Sequence, residues 1–384
     1  MAVRVLHVIS ALNIGGAEGM LLKLVTMHQG MDVCSEVVSL SDTGVIGERI
    51  RRLGVAVHSL HVKKLLSAIL AMPRLLKIGR RFRPSVIQTW MPHADFFGGV
   101  AAALLPNIPL VWNIRMTAMP LERRATQFLA GTVNRYLSFR LPDAIVCCAQ
   151  EALEHYAGIG YQRGKMVVIP NGFDLDAFKP DALIRQAMRK TLGVHDDELL
   201  VGIVGRFHPM KDHRTFIAAA GLVRKQVPKA KFLLVGAGLD FANSELEAWV
   251  EKAGVKGACL CLGRRDDLSG LYSAMDVNVL SSASGEGFPN VLGEAMACGV
   301  PCVATDVGDS RRILGETGRT VSPSDSSALA DAITDILRLP VQARRKLGAS
   351  ARQRIADRFS IAMIARSYLD LYRTLGMSGR RCAE

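Results

Sequence analysis

Short runs of apolar residues alternate along the chain with longer segments of helical periodicity. Such runs are typical of the strands of a parallel sheet that helices cover on both faces. Seven predicted strands precede residue 171 and five follow it: Val3–Ile9, Val33–Ser39, Val55–Leu60, Val86–Gln88, Leu110–Asn113, Ala144–Cys148, Val167–Pro170, Leu200–Val204, Lys231–Val235, Cys259–Leu262, Val277–Leu280 and Cys302–Thr305. The pattern therefore predicts an α/β chain with two doubly wound domains.

The break between the two series of strands predicts the domain boundary. A Pro-Asn-Gly sequence at 170–172 interrupts the apolar pattern, and Phe173–Pro180 is predicted to be a linker. We expect one domain over 1–170 and a second over 171–358, because 384 residues are enough for two separate hydrophobic cores. The tail that begins near Phe359 is predicted to form an amphipathic helix.

The segment 281–301 carries the strongest indication of chemistry, with two glutamates, Glu286 and Glu294, eight positions apart. Three residues that break regular structure surround the first glutamate: Gly285, Gly287 and Pro289. Val291–Ala297 is predicted to start a helix, whose unpaired N–H groups would form an anion site. A ligand with a phosphate at this helix N-terminus and hydroxyl groups at both carboxylates would be a nucleotide sugar.

Two other strand ends carry residues that suit a phosphate ligand. Arg206 and Lys211 follow the predicted strand Leu200–Val204, and ligands bind at the carboxyl ends of parallel strands. An arginine offers a bidentate fork and a lysine a point charge, which together suit a diphosphate. Near the N-terminus, Gly15 and Gly16 follow the first strand and permit close approach of the backbone to a ligand.

Three segments, in this order along the chain, resemble the motifs of the retaining glycosyltransferases of family 4, which have the GT-B fold. They are Asn13–Glu18 after the first strand, Gly205–Asp212, and Glu286–Pro301 with its EGFPN and EAMA runs. The resemblance covers nearly the whole chain. It implies two Rossmann-like doubly wound domains that face each other across a cleft, with the C-terminal segment 359–384 packing back on the first domain.

The resemblance also implies roles for the matching residues. Arg206, Lys211 and Glu286 are expected to be catalytic: the first two stabilise the leaving diphosphate, and Glu286 acts at the donor sugar. Glu294 is expected to bind the ribose hydroxyls. The full expected donor-binding set is Gly16, Arg206, Lys211, Glu286, Gly287, Phe288, Pro289, Asn290, Val291, Leu292 and Glu294. No enzymic nucleophile or cofactor is expected, because the leaving phosphate itself is thought to accept the acceptor's proton in this family.

The chain departs from the family at the end of one strand of the first domain. Many members carry a histidine there, whereas this chain has Asn113 and Arg115 in a Val-Trp-Asn-Ile-Arg sequence. Asn113 and Arg115, together with His93 after an earlier strand, are therefore the candidate residues on the acceptor side.

No metal site is expected, although Asp174-Leu175-Asp176 has the spacing of a metal-binding D-x-D motif. The triplet lies in the predicted linker and overlaps a Pro-Asn-Gly-x-Asp turn that resembles the family's own linker. Arg206, Lys211 and the helix N-terminus after Pro289 can instead supply the positive electrostatic field.

The net charge of +13 is concentrated in the first half, where 19 lysine and arginine residues stand against 10 acidic residues up to position 170. One predicted helix there has an apolar face, formed by Leu65, Leu66, Ile69, Leu70 and Leu75. Cations flank this face: Lys63, Lys64, Arg74, Lys77, Arg80, Arg81 and Arg83. Such a helix suits an anionic membrane surface, where each nearby cation contributes roughly 1 kcal/mol. The alternative is a solvated basic helix whose apolar face packs on its own sheet.

No nucleic-acid motif accompanies the charge, so nucleic acid is not an expected partner.

The resemblance, together with these observations, implies a cytoplasmic, metal-independent hexosyltransferase that retains configuration, with peripheral contact to the inner face of the cell membrane left open. The expected donor is a nucleotide-diphosphate sugar, with UDP favoured by its frequency in the family. The expected acceptor is a growing cell-surface polysaccharide or a lipid-linked glycan, because the TWMPHAD and VWNIR segments resemble exopolysaccharide and lipopolysaccharide assembly enzymes. Two alternatives are a nucleotide-sugar 2-epimerase-like enzyme and a non-catalytic nucleotide-sugar-binding partner in a glycan-synthesis complex.

Overall fold

The computed structural model of the chain describes residues 2–62, 65–105, 107–117 and 128–381. The chain divides into two compact units. The first unit comprises the residues up to Gly172 together with the segment from Ile361 onward, and the second comprises Phe173–Ser360.

The first unit is built on a parallel sheet. Its described strands are β1 (Val3–Ile9), β2 (Val33–Ser39), β3 (Val57–Ser59), β4 (Val86–Trp90), β5 (Leu110–Ile114), β6 (Ala144–Cys147) and β7 (Met166–Val168). They form one seven-stranded sheet in the order β3-β2-β1-β4-β5-β6-β7. The predicted doubly wound fold is confirmed, although several strands begin or end one to three residues away from their predicted positions.

Helices cover this sheet. They are α1 (Gly16–His28), α2 (Gly44–Arg52), α3 (Leu65–Phe82), α4 (Pro92–Ala103), α5 (Arg135–Leu137) and α6 (Gln150–Gly158) among the described residues. Leu129–Asn134 forms a π-helical turn and Arg163–Lys165 a 3₁₀ turn. Because β1 lies between β2 and β4, the strand order reverses at the pair β1–β4, and the carboxyl ends of these strands mark the binding edge expected of such a sheet.

The C-terminal helix, Ile361–Arg381, belongs to the core of the first unit. Tyr368 and Tyr372 are buried, and each hydroxyl makes a hydrogen bond with a buried amide side chain of the sheet. The Asn113 amide donates to the Tyr368 hydroxyl at 3.0 Å, and the Tyr372 hydroxyl donates to the side-chain carbonyl of Gln88. Buried polar groups need such partners, so these bonds fix the helix in one register on the sheet.

The second unit contains a separate parallel sheet. Its described strands are β8 (Leu199–Val204), β9 (Ala230–Val235), β10 (Cys259–Cys261), β11 (Val277–Leu280), β12 (Cys302–Thr305) and β13 (Gly318–Val321), in the order β10-β9-β8-β11-β12-β13. The sequence analysis missed β13. This strand begins with a glycine, is only half-buried over most of its length and pairs with one neighbour, so it lacks the apolar run of an interior strand.

Eight described helices cover the second sheet. They are α7 (Ala182–Thr191), α8 (His213–Gln226), α9 (Ser244–Lys252), α10 (Leu268–Ala274), α11 (Asn290–Ala297), α12 (Ser310–Leu314), α13 (Ser326–Arg338) and α14 (Val341–Phe359). Three short 3₁₀ turns accompany them at Pro209–Lys211, Lys256–Ala258 and Gly315–Thr317. The core lies on the face formed by β8, β9 and β11, packed by α8 and α13.

The predicted linker is irregular, but it begins inside the second unit. The Phe173 side chain is fully buried, and its backbone N–H donates to the Phe359 carbonyl at 2.8 Å. The Phe173 ring stacks on Phe288, with centroids 6.0 Å apart. Phe173 is therefore a core residue that joins the end of α14 to the loop before α11.

The predicted apolar face of α3 is wrong in part. Leu75 is buried in the first unit, whereas Ile69 and Leu70 are 62% and 68% exposed. Lys63, Lys64 and the side chains of Leu65 and Leu66 lie outside the described residues. None of the described helices combines the length and the apolar character that crossing a membrane requires.

Candidate active site

The topology of the second sheet brings two predicted motifs together. The strand order reverses at the pair β8–β11, because β8 lies between β9 and β11. The loop after β8 carries Arg206 and Lys211, and the loop after β11 carries Glu286. The connections after β8 and β11 run to opposite faces of the sheet at this point, which leaves a crevice between the two loops. Ligands of doubly wound domains bind in such a crevice.

Lys211 and Glu286 form an ion pair at this edge. The Lys211 Nζ lies 2.5 Å from Glu286 Oε1, and the Ser282 hydroxyl donates to the same oxygen at 2.5 Å. The Glu286 side chain is only 10% exposed and that of Lys211 is 25% exposed. A charge-assisted bond in such a sheltered position fixes both side chains. The Glu286 carboxylate is therefore held in place by one cation and one hydroxyl.

The backbone around Lys211 is fixed by its neighbours. Asp212 has a positive φ of 45° and caps α8, where its carboxylate accepts from the Thr215 N–H at 3.1 Å and from the Thr215 hydroxyl at 2.7 Å. The Ser281 hydroxyl donates to the Lys211 carbonyl at 2.8 Å. A left-handed conformation at a non-glycine residue is uncommon and persists only where the surroundings determine it. Here the capping bonds supply that constraint.

Arg206 differs from Lys211 in having no partner among the residues that the structure describes. It is exposed, and its guanidinium makes no hydrogen bond or ion pair with any residue that the structure describes. Its backbone runs beside Gly236, whose φ is +154° and where a Cβ would lie 1.9 Å from the Gly205 carbonyl oxygen. Only glycine allows the ends of β8 and β9 to approach so closely. The guanidinium is thus presented to solvent on a tightly constrained turn.

Gly308 supports the loop that carries Glu286. It has a φ of +61°, and a Cβ there would lie 2.6 Å from the carbonyl oxygens of both Glu286 and Gly287. The next residue, Asp309, donates its N–H to the Gly287 carbonyl at 2.9 Å. The position therefore needs glycine for its backbone conformation and for the space beside the loop.

Gly308→Ala is expected to displace the Glu286 loop and to lower kcat/KM about tenfold or more, because positioning is a large part of catalysis. The left-handed backbone adds a cost of about 1–2 kcal/mol in stability. Gly193→Ala is the matched control: Gly193 has a φ of +63°, and a Cβ added there would meet no atom within 4 Å. Steady-state kinetics and thermal unfolding of both variants test this. Equal activity in the two variants would show that the contact with the loop does not matter.

Phe288 anchors the part of the segment that follows Glu286. Its side chain is 7% exposed and packs against Phe173 and Phe359, with ring centroids at 6.0 Å and 5.4 Å. Pro289 precedes the first turn of α11 and provides no side-chain cap. Leu292 is fully buried, whereas Asn290 and Val291 are half-buried. The backbone at the start of α11 is thus held by apolar packing.

Glu294 lies one turn into α11 and pairs with a residue that the sequence analysis did not identify. The Tyr272 hydroxyl donates to Glu294 Oε2 at 3.2 Å. Burial, reinforced by the nearby carboxylate, raises the pKa of Tyr272 well above its ordinary value. The tyrosine therefore stays protonated and orients the glutamate side chain.

A neutral histidine lies under the Lys211 turn. His213 is 1% exposed and its ring stacks on Phe207, with centroids 5.9 Å apart. Burial, followed by the charge of Lys211, lowers the pKa of His213 to about 4. His213 is therefore uncharged at neutral pH and adds no cation beside Lys211.

Two family models match the chain. One, described as glycosyl transferases group 1, matches residues 198–338, which include the Arg206, Lys211, Glu286 and Glu294 positions. The other, described as Glycosyltransferase Family 4, matches residues 14–177. The chain belongs to glycosyltransferase family 4.

Individual relatives agree with this assignment. EpsF of Bacillus subtilis (strain 168), named a glycosyltransferase, is 29% identical over 311 residues, which are 79% of this chain and 79% of that protein. A UDP-Gal:alpha-D-GlcNAc-diphosphoundecaprenol alpha-1,3-galactosyltransferase of Escherichia coli is 24% identical over 350 residues, 88% of this chain and 87% of that protein. Anabaena Alr3699/HepE, crystallised with UDP, superposes with a TM-score of 0.85 at 21% identity over 97% of this chain and 100% of that chain. The glycosyltransferase therefore has the GT-B fold.

In the first unit of this glycosyltransferase, Gly16 is an exposed residue at the start of α1. Gly15 precedes it, and a Cβ there would lie 2.3 Å from Glu18 Oε2. Burial raises the pKa of Glu18, which lies in the first turn of α1. The raised pKa means that burial disfavours the ionised form of Glu18, which opposes the attraction that a helix N-terminus exerts on a carboxylate.

The three candidate acceptor-side residues differ in accessibility. Asn113 is fully buried and is bonded to Tyr368, so it holds the C-terminal helix and is not accessible to an acceptor. Arg115 is half-buried, donates to the Tyr368 hydroxyl at 3.3 Å and to the Asn171 side chain, and lies over the Trp90 ring. His93 is exposed in the first turn of α4. The structure thus removes Asn113 from the accessible candidates.

The D-x-D triplet forms a local turn in the glycosyltransferase. The Asp174 carboxylate accepts from the backbone N–H groups of Asp176 and Ala177 at 2.9 Å and 3.0 Å. This pattern is a turn in which the side chain of aspartate satisfies its own backbone. In the part of the chain that the structure describes, no group of three or more His, Cys, Asp or Glu residues could hold a metal ion.

Sequence reasoning missed three residues that shape the site: Ser282, Tyr272 and Gly308. Ser282 lies four residues before Glu286 in a run of small polar residues, so nothing in the sequence distinguishes its hydroxyl from those nearby. Tyr272 and Gly308 lie 22 and 14 positions from Glu294, in other helices and loops. Only the folded sheet brings them beside the two glutamates.

Proposed function

We propose that this glycosyltransferase moves a hexose from a UDP-sugar to a growing cell-surface polysaccharide or a lipid-linked glycan, with retention of configuration and without a metal ion. Arg206, Lys211 and Glu286 are the proposed catalytic residues. The proposed donor contacts also include Glu294, Gly16 and the backbone of the segment Gly287–Leu292.

The observation that carries this proposal is the Lys211–Glu286–Ser282 cluster, with Lys211 on the same loop after β8 as Arg206. Lys211 and Arg206 offer cations to a diphosphate, and Glu286 offers a sheltered carboxylate to sugar hydroxyls. A donor that places its diphosphate on Lys211 separates the lysine from Glu286, and the carboxylate then accepts bonds from the sugar. Pre-oriented charge of this kind is usually the largest contribution to catalysis.

The proposed reaction breaks the bond between the anomeric carbon and the diphosphate oxygen and forms one between the same carbon and an acceptor hydroxyl oxygen. Both events occur on one face of the sugar, which retains configuration. The acceptor proton passes to the leaving diphosphate, whose negative charge Arg206 and Lys211 stabilise. This scheme needs no nucleophile from the protein and assigns none.

The choice of UDP and of a lipid-linked acceptor rests on similar proteins. Anabaena HepE was crystallised with UDP and with UDP-glucose, and the Escherichia coli relative is named for a UDP-galactose donor and a diphosphoundecaprenol acceptor. We extend the nucleotide and the acceptor class, but not the particular sugar, to this chain. A peripheral position at the inner face of the cell membrane is part of the proposal, since such an acceptor is anchored in the bilayer.

The test is release of nucleoside diphosphate from a panel of UDP-sugars and GDP-sugars, each with and without bacterial membrane lipid extract. We expect release from one UDP-sugar that depends on the extract and that persists when EDTA is added. Nuclear magnetic resonance of the product reports the anomeric configuration, and inversion would contradict retention.

The same panel separates the two alternatives. Conversion of a UDP-sugar without any acceptor would favour an epimerase-like enzyme. Tight binding of UDP-sugars with no release under any condition would favour a non-catalytic binding partner. Either result would overturn the proposed transfer reaction.

A further inference from the structure

A pocket of about 490 Å³ lies in the first unit, among residues for which the proposed reaction has no use. It is bordered by β3, by the two ends of α2 and by one face of α3. Five of its lining side chains are basic: Arg51, His58, His61, Arg74 and Lys77. No acidic residue is among the described residues that line it. The volume is in the range of small-molecule sites.

The cations of this pocket differ in how far they are already neutralised. Arg51 pairs with Glu48 at 2.9 Å, and His58 contacts Glu36 at 2.8 Å. Arg74 and Lys77 have no hydrogen bond or ion pair with any residue in the described ranges. They are three positions apart on α3, so both point to the same side of the helix. Two cations without a counter-ion among the described residues therefore line the pocket.

Hydroxyl and apolar groups complete the lining. The Thr43 and Ser59 hydroxyls lie 2.8 Å apart, between the ends of β2 and β3. Val57, Leu60 and Ile78 supply apolar surface. Cations and hydroxyls suit a phosphate group, and the apolar surface suits the organic group that carries it.

We propose that this pocket binds the phosphate group of a phosphate ester, with Arg74 and Lys77 as the main contacts. The site lies in the first unit, whereas the proposed diphosphate residues Arg206 and Lys211 belong to the second, so the inference holds whatever the donor is. The ester is a soluble molecule or the headgroup of a lipid. Ile69 and Leu70, exposed about one turn before Arg74, are placed to contact the apolar part of a lipid.

The test compares the double variant Arg74→Ala/Lys77→Ala with the control Arg52→Ala/Arg80→Ala. Each pair removes two exposed cations: Arg74 and Lys77 both lie on α3, whereas Arg52 ends α2 and Arg80 lies on α3, and neither of these last two lines the pocket. Calorimetry with glycerol 3-phosphate measures the soluble ester. Co-sedimentation with phosphatidylcholine vesicles, with and without phosphatidylglycerol, measures the lipid headgroup.

We expect the Arg74/Lys77 variant to bind the phosphate ester roughly tenfold or more weakly, and the Arg52/Arg80 variant to change much less. If the wild type binds anionic vesicles and the variant Ile69→Ser/Leu70→Ser binds them more weakly, the phosphate belongs to a lipid headgroup. If the wild type binds glycerol 3-phosphate and not the vesicles, the phosphate belongs to a soluble ester. An equal loss of affinity in the two double variants would indicate non-specific electrostatic attraction and would overturn the proposal. The absence of binding to both probes would also overturn it. The affinity for UDP, measured in parallel, should be unchanged in both double variants. This measurement distinguishes failure of the phosphate-ester site from failure of the proposed transferase function.

Discussion

Lys211→Ala is expected to lower kcat by about 100-fold or more, the usual consequence of removing one group that stabilises transition-state charge. Lys211 is the cation at the switch point of the second sheet, and its Nζ contacts Glu286 at 2.5 Å. Without it, the leaving diphosphate loses a point charge, and among the described residues the Glu286 carboxylate keeps only its bond from the Ser282 hydroxyl. Steady-state rates of diphosphate release measure the effect. Lys190→Ala removes an exposed lysine of the same unit and is expected to leave the rate unchanged.

A second variant distinguishes a direct role of Lys211 from a role in holding Glu286. Glu286→Gln leaves the lysine in place and removes the carboxylate charge. If Lys211 binds the diphosphate, Lys211→Ala weakens the affinity for UDP itself, whereas Glu286→Gln lowers turnover and leaves UDP affinity nearly unchanged. Equal UDP affinity in wild type and Lys211→Ala would place the lysine in a structural role only.

The apolar runs of the sequence were sufficient to predict both sheets apart from the edge strand β13, because buried parallel strands are apolar on both faces. They could not predict strand order, since sequence alone does not specify which strands are neighbours. The pairing of β8 with β11 decides the site, because it brings Lys211 and Glu286 into contact across 75 positions of sequence. The motifs named the candidate residues, and the sheet topology determines their geometry.

Residues whose role depends on packing were the ones that sequence reasoning misjudged. Phe173 looked like part of a linker, but its ring is buried against Phe288, a contact that no local pattern reveals. Asn113 occupied the position where the family has a histidine, yet the C-terminal helix buries it, and its partner Tyr368 is 255 positions away. In both cases a distant segment determines the environment.

The basic stretch on α3 illustrates the same limit. Its periodicity predicted one continuous apolar face, but Leu75 packs inside the first unit while Ile69 and Leu70 face solvent. Pro73 lies within the helix between these two groups. Charge clustering was readable from the sequence, whereas the pocket that Arg74 and Lys77 line arises only when β3 and α2 are folded beside them.

Asp276→Ala is expected to produce the largest loss of stability, about 3–5 kcal/mol, because it leaves two buried arginines, Arg189 and Arg344, without this counter-ion. Asp276 is 7% exposed and lies directly before β11. Its carboxylate contacts Arg185 at 2.9 Å and Arg189 at 3.2 Å, and it accepts from the Leu200 N–H at 2.9 Å. It therefore joins α7 to the starts of β8 and β11, the two strands whose far ends carry the candidate site.

Urea denaturation, with hydrogen exchange of peptides that contain Leu199–Val204, measures this loss in the second unit. Asp197→Ala is the matched control, because Asp197 also pairs with a cation, Lys229, but its side chain is 63% exposed. Exposed ion pairs contribute little, so this variant should unfold like the wild type. A loss below about 1 kcal/mol in Asp276→Ala would mean that Arg185 and Arg189 find water or other acceptors on their own. The expected larger loss would show that the aspartate anchors the strand pair on which Lys211 and Glu286 are placed.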